Sequence, residues 1–154
     1  MMEADQILEQ CASVLVVDWP SRDVPDTLAR TGYTVVIKGG PDPGTFNAQE
    51  VRDGMVVAHP VGRPEQIDLV YVHRPFDELP GIVAMAKAMG AKALWWQSGR
   101  TSAGRKDPAG CWISDSESRE ARALVESAGL RYIDDVYIAD AARRRQRLPG
   151  TRNI

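Results

Sequence analysis

The sequence predicts an α/β fold: a doubly wound, mostly parallel sheet of five to six strands with helices on both faces. Three observations predict it. Short apolar, β-branched runs recur along the chain, each closed at once by a turn or breaker residue. Between most of them lie segments with apolar residues at helical spacing, closed by glycine. The chain has 154 residues with a 44% hydrophobic fraction, enough to bury one core in one domain.

The elements follow in order. Residues 3–11 place Ile7 and Leu8 among polar neighbours and read as a short amphipathic leading helix. Residues 12–17 (ASVLVV) are a continuous apolar run, as expected of a strand buried on both faces. Residues 21–31 carry cap candidates Ser21 and Asp23 and apolar Val24 and Leu28 at i, i+4, and Gly32 ends that helix. Residues 33–37 (YTVVI) form a second strand, stopped by Lys38-Gly39-Gly40. Residues 55–58 (MVVA) read as a weaker third strand broken by His59-Pro60. Residues 69–72 (LVYV) are a fourth, ending in His73-Arg74-Pro75. The clearest helix has Leu79, Ile82, Val83, Ala86 and Met89 on one face and Gly90 as its C-cap. Residues 91–96 (AKALWW) are a fifth strand, closed by Gln97-Ser98-Gly99. The Gly- and Ser-rich stretch 100–110 reads as a surface loop. Another helix starts at 114–118, buries Ala121, Leu124, Val125 and Ala128, and stops at Gly129. A short strand at 131–133 and a last helix over 135–145 complete the domain, expected to span 1–142, followed by a basic tail over 143–154.

Alternation of buried strands with amphipathic helices gives right-handed crossovers and a Rossmann-like, NAD(P)-binding-like architecture. In such a fold a ligand binds beyond the carboxyl ends of the strands, near the switch point. Asp18 to Arg22, Lys38 to Gly40, His73 to Pro75 and Gln97 to Arg100 fall there.

Composition excludes several classes. There are 19 Lys+Arg against 21 Asp+Glu, a net charge of −2, which argues against a nucleic-acid binder. No run approaches the ~18 apolar residues that span a membrane. The polar N-terminus is not a signal peptide, and Cys11 and Cys111 lie too far apart for a metal motif. They read as reduced thiols of a cytoplasmic protein. Two histidines after different strands, His59 and His73, make neither a metal site nor a nucleophilic triad, so no catalytic residue and no metal are expected.

Four stretches carry a family resemblance: the strand 13–17 after its short helix, 68–83 (DLVYVHRPFDELPGIV), 90–99 (GAKALWWQSG) and 128–134 (AGLRYID). The chain resembles the small CoA-binding proteins, single Rossmann-like domains related to the CoA-binding portion of the succinyl-CoA synthetase alpha subunit. The resemblance implies CoA or acyl-CoA as a nucleotide-type ligand and a binding role without catalysis. Position at the carboxyl ends of the strands makes Asp18, Trp19, Ser21, Arg22, Lys38, Gly39, His73, Arg74, Pro75, Gln97, Ser98 and Gly99 the candidate contacts for such a ligand.

The chain departs from the family in its first loop. Where the family carries a Gly-x-Ser element, this sequence has Asp18-Trp19-Pro20, and the loop is shorter. Pro20 has no N–H to donate, and Trp19 is bulky where the backbone must approach a phosphate. A carboxylate about 4 Å from a phosphate charge opposes binding by roughly 4 kcal/mol at an effective dielectric near 20, on the order of a thousandfold.

Alternatives stand beside each assignment. Asp18-Trp19 is either a specificity element or a plug; Arg74 either binds phosphate or pairs with Asp77 or Glu78; Trp95 and Trp96 face opposite sides, one of them open to stack on an adenine-like ring. Cys111-Trp112 is packed or forms a reactive, lid-like element, and Arg143, Arg144, Arg145 and Arg147 are a solvated run or touch an acidic partner. The competing functional reading is a family member that has lost CoA and acts as a homodimer or accessory subunit.

Overall fold

The computed structural model describes residues 3–38, 44–97, 114–134 and 136–146. Among these residues there is one mixed sheet of seven strands, ordered β4-β3-β2-β1-β5-β6-β7. The helices are α1 (Glu3–Gln10), α2 (Asp23–Arg30), α3 (Leu79–Ala88), α4 (Asp115–Ser127) and α5 (Ile138–Gln146). Strands β1 (Ser13–Val17), β2 (Thr34–Lys38), β5 (Leu69–Val72), β6 (Ala93–Trp96) and β7 (Arg131–Ile133) run parallel. The doubly wound, mostly parallel class therefore holds.

Alternation along the strands builds two cores. Val14, Val16, Leu69, Tyr71 and Trp95 point to one face, under α1, α2 and α5. Leu15, Val17, Val70, Val72, Leu94 and Trp96 point to the other, under α3 and α4. The central strands β1 and β5 are buried on both faces, which is why their sequences are unbroken apolar runs. Each fully buried side chain of this size contributes roughly 1.5–3 kcal/mol. Asp68 fixes the amino end: its carboxylate accepts from the Ala12 amide (2.8 Å) and the Ser13 amide (3.2 Å).

The sheet exceeds the five to six strands expected because β3 (Phe46–Arg52) pairs antiparallel with β2, and β4 (Met55–Val61) pairs antiparallel with β3. Asp53 (φ 50°) and Gly54 (φ 79°) join them in a two-residue hairpin, the left-handed turn that Asp-Gly favours. The strand expected to break at His59-Pro60 instead runs on to Val61. Pro60 is tolerated because β4 is the edge strand. By the register from the hairpin, Pro60 occupies a position whose N–H would point away from β3, so no ladder bond is lost.

The crossover from β4 back to β5, residues 62–68, carries no helix; Ile67 is buried there, and its amide donates to the Met89 carbonyl (3.1 Å). Gly90 (φ 72°) follows α3 in the left-handed conformation expected of its cap. Helix α4 opens with a capping box between Ser114 and Glu117. Helix α5 continues through Arg143, Arg144 and Arg145 to Gln146. Arg145 is buried, and Arg144 bonds Asp5 of α1 (2.8 Å), so the basic run up to Arg145 is helix docked on the domain. Cys11 is buried in the core under α1.

Candidate functional site

The switch point lies at β1, since the chain leaves it toward β2 on one side and returns as β5 on the other. The carboxyl ends of β1, β2, β5 and β6 bring Asp18, Lys38, His73, Arg74 and Gln97 to one edge. Backbone bonds lock these ends in register: the Asp18 amide donates to the Lys38 carbonyl (3.1 Å), His73 to Val17 (3.0 Å) and Gln97 to Val72 (3.0 Å).

The centre of this edge is an ion cluster. Arg74 donates through Nε and Nη2 to both carboxylate oxygens of Glu78 (3.0 and 2.6 Å), one turn ahead. Its Nη1 donates to Asp18 Oδ2 (2.9 Å). The Arg74 guanidinium holds the Glu78 carboxyl below its ordinary range, and Glu78, then Asp18, hold Arg74 more firmly protonated. The remaining Asp18 oxygen, Oδ1, accepts from the Trp19 amide (3.0 Å). Asp18 sits at φ 61°, the left-handed region that an L residue adopts at a cost and that Asp and Asn tolerate best.

Arg22 turns the other way. Its Nη2 donates to Asp26 Oδ1 and to Gln49 Oε1 of β3, each at 2.7 Å, and its guanidinium lies 5.9 Å from the centre of the Trp19 ring. Trp19 is half-buried and packs against the core under α2 and α5. Gln49 is 3% exposed and was not anticipated; the signal that locates it is Asp53-Gly54, which makes residues 46–52 a strand.

The amino end of α2, where the fold would seat a pyrophosphate, is already used. Ser21 Oγ accepts from the Asp23 amide (3.3 Å), the Ser21 carbonyl accepts from Val24 (3.2 Å), and Pro25 has no N–H. Asp23 is bound by Arg143 Nη1 (2.9 Å), Thr27 Oγ1 (3.0 Å) and the Tyr137 hydroxyl (3.1 Å). Arg143 lowers the Asp23 carboxyl below its usual value, and burial pushes the Tyr137 phenol up to about 12. Three carboxylates, Asp18, Asp23 and Asp26, thus surround a helix end with few amides to offer, and these residues do not fit a pyrophosphate there.

Gln97 and the tryptophans serve α5 and the core. Gln97 is 3% exposed; its Oε1 accepts from the Ile138 amide (3.0 Å), and its Nε2 donates to the Val136 carbonyl. Both indoles are fully buried, so neither offers a ring face to a ligand, correcting the stacking expectation. Trp95 Nε1 donates to Val136 (3.0 Å) and Trp96 Nε1 to the Arg74 carbonyl (2.9 Å). Adjacent positions on a strand covered on both faces leave both rings inside. His73 donates from Nδ1 to the Gln97 carbonyl (2.9 Å), because a carbonyl can only accept. Pro75 precedes the 3₁₀ turn Phe76–Glu78 that delivers Glu78 to Arg74. Gly39, Gly40, Ser98, Gly99, the 100–113 stretch with Cys111 and Trp112, and Arg147 lie outside the described residues. Among the described residues, no helix is long and apolar enough to cross a membrane.

A solved structure described as the crystal structure of Prb, a PH1109 protein redesigned for binding, superposes with a TM-score of 0.58 at 16% identity. That match covers 92% of this chain and 89% of the other, and it supports the fold. No curated protein matches the chain. The family model of the CoA binding domain matches residues 14–139, which takes in every strand except for Ser13, the first residue of β1, and nearly all of the edge just described. The chain belongs to the CoA-binding domain family.

Proposed function

We propose that this chain is a non-enzymatic member of its family that no longer holds CoA and acts through protein contacts. One observation carries the reading: Arg74, the guanidinium at the centre of the ligand edge, is already held by two carboxylates of the same chain, Asp18 and Glu78. A CoA pyrophosphate would have to displace them, at a site whose helix end lacks free amides. Support for protein contacts comes from the other side of the sheet. Strand β4 forms the sheet's edge, and Val51 and Met55 of its hairpin are 44% and 66% exposed.

Calorimetric titration with CoA and acetyl-CoA, together with sedimentation velocity of the free protein, tests this. The expected result is no heat at millimolar ligand and a species larger than the monomer or a protein captured by pull-down. Micromolar binding of CoA would overturn it.

A second reading, CoA or acyl-CoA as the ligand of this same edge, is favoured by the family match over residues 14–139. It predicts saturable binding in the same titration, weakened by Arg74→Ala.

A further inference from the structure

We infer that strand β4 pairs with β4 of a second copy of this chain, antiparallel across a two-fold axis at Val57, so that the two sheets become one. The inference deepens the proposed role in protein contacts by naming the partner, and it rests on that reading. Among the described residues β4 is the sheet's edge, and its sequence, MVVAHPV, carries no Lys, Arg, Asp or Glu to blunt pairing.

The register follows from which backbone groups are free. Arg52 and Met55 flank the Asp53-Gly54 turn, so they form a hydrogen-bonded pair of the hairpin. Alternation then turns the backbone groups of Val57, His59 and Val61 toward β3 and those of Val56, Ala58 and Pro60 outward. Of these outward residues only Val56 and Ala58 bring an N–H, because Pro60 has none. With Val56 opposite Ala58 of the second copy, both residues donate and both accept, and the two-fold repeats the exchange. A slip by two residues would set Pro60 opposite Val56 and press its ring against the Val56 carbonyl. In the inferred register Pro60 meets Gly54 of the second copy instead, beyond the paired residues.

Side chains and charge agree with that register. Val57 meets its own copy at the axis as a non-hydrogen-bonded pair, where side chains sit closest. Met55, 66% exposed, gains the second copy's His59 as a neighbour. Val51, 44% exposed, pairs with Val56, and that apolar row runs on to the second copy's Ala58. Asp53 precedes β4 and Arg63 follows it; both are exposed, and neither forms an ion pair with a described residue. Antiparallel pairing brings Asp53 of each copy to the Arg63 end of the other, which sets opposite charges together at both ends of the interface. One strand pair buries less than the ~1,200 Å² of a standard interface, so the dimer is weak and reversible.

The test is sedimentation velocity of the full chain from about 1 µM to about 1 mM, with cross-linking of Val57→Cys and Met55→Cys by oxidised glutathione. Wild type is expected to pass reversibly from monomer to dimer over that range. Val57→Cys should cross-link at least about tenfold faster than Met55→Cys or wild type, because residue 57 meets itself and the more exposed residue 55 does not. Ala58→Pro, which removes an outward N–H and spares the bonds to β3, should weaken the dimer at least about tenfold. Arg63→Glu should weaken it at least about threefold. A wild type that stays monomeric at about 1 mM overturns the inference, and so does equal cross-linking of the two cysteine variants. An Ala58→Pro dimer within about twofold of wild type does so too; should that variant fail to fold, the cross-linking ratio decides. A monomer that binds no CoA and captures a different protein overturns this inference alone. CoA binding by the wild type would refute the proposed function, while the cross-linking ratio still decides the pairing.

Discussion

Replacing Gln97 by alanine separates a ligand-contacting role from a structural one. In the folded chain the Gln97 side chain accepts from the Ile138 amide, the first amide of α5, at 3.0 Å. That amide is one of the orphan donors every helix start must satisfy, and here a distant strand end satisfies it. Val136 keeps a second donor in Trp95 Nε1, so its carbonyl is not stranded by the substitution. The loss is therefore one buried, unsatisfied N–H, about 1–3 kcal/mol, plus about 0.8 kcal/mol for the methylene removed from a residue that is 3% exposed. The sum, about 2–4 kcal/mol, lowers the melting temperature of a chain this size by roughly 5–15 °C. Thermal melts followed by circular dichroism read it directly. Gln97→Glu should recover part of the loss only at acid pH, where the protonated carboxyl accepts from Ile138 and donates to Val136. A shift below about 2 °C for Gln97→Ala would refute the reasoning and return Gln97 to the ligand.

Further predictions concern the α2–α5 contact and acid stability. Arg143→Ala removes the bonds to Asp23, Thr27 and Asp140 at the α5–α2 contact; because the charged groups Arg143, Asp23 and Asp140 are 40%, 40% and 47% exposed, the cost in urea unfolding should be only about 1 kcal/mol. A loss above about 3 kcal/mol would contradict the solvent-screened view of that cluster. The Asp23 and Glu78 carboxyls are both lowered from ordinary values of 3.8 and 4.5, so each stabilises the fold above those values. Their contribution should fade as pH falls through the lower folded-state values, and the acid limb should flatten in Arg74→Ala/Arg143→Ala. At the other extreme, Tyr137 should titrate near pH 12 in an absorbance titration, with its stabilising contribution present below 10 and lost as pH rises past 12.

Much of the fold was legible because burial on both faces writes itself as unbroken apolar runs: residues 14–17, 69–72 and 93–96 needed no further context. The helix over Leu79–Ala88 was equally plain from its spacing and from Gly90. Strand β3 was not, since Phe46–Arg52 contains Asn47, Gln49, Glu50 and Arg52 and lies near an edge where polar residues are tolerated. At the site, the sequence placed Asp18, Lys38, His73 and Arg74 at one edge because strand ends dictate that. It left open whether Arg74 faced a ligand or Glu78, for a guanidinium's partner depends on side-chain direction across two loops. Glu78 was visible as a candidate four residues on; Asp18 as its second partner, 56 residues away, was not. The tryptophans misled because alternation on a strand suggests one ring outside, whereas a sheet covered on both faces has no outside.

The central claim is that this edge is neutralised by its own carboxylates and gives CoA no seat. A ¹H–¹⁵N titration of the wild-type chain with CoA tests it residue by residue. The account predicts that the amides of Asp18, Trp19, His73, Arg74 and Glu78 stay unshifted up to millimolar CoA. Saturable shifts at those amides would contradict it.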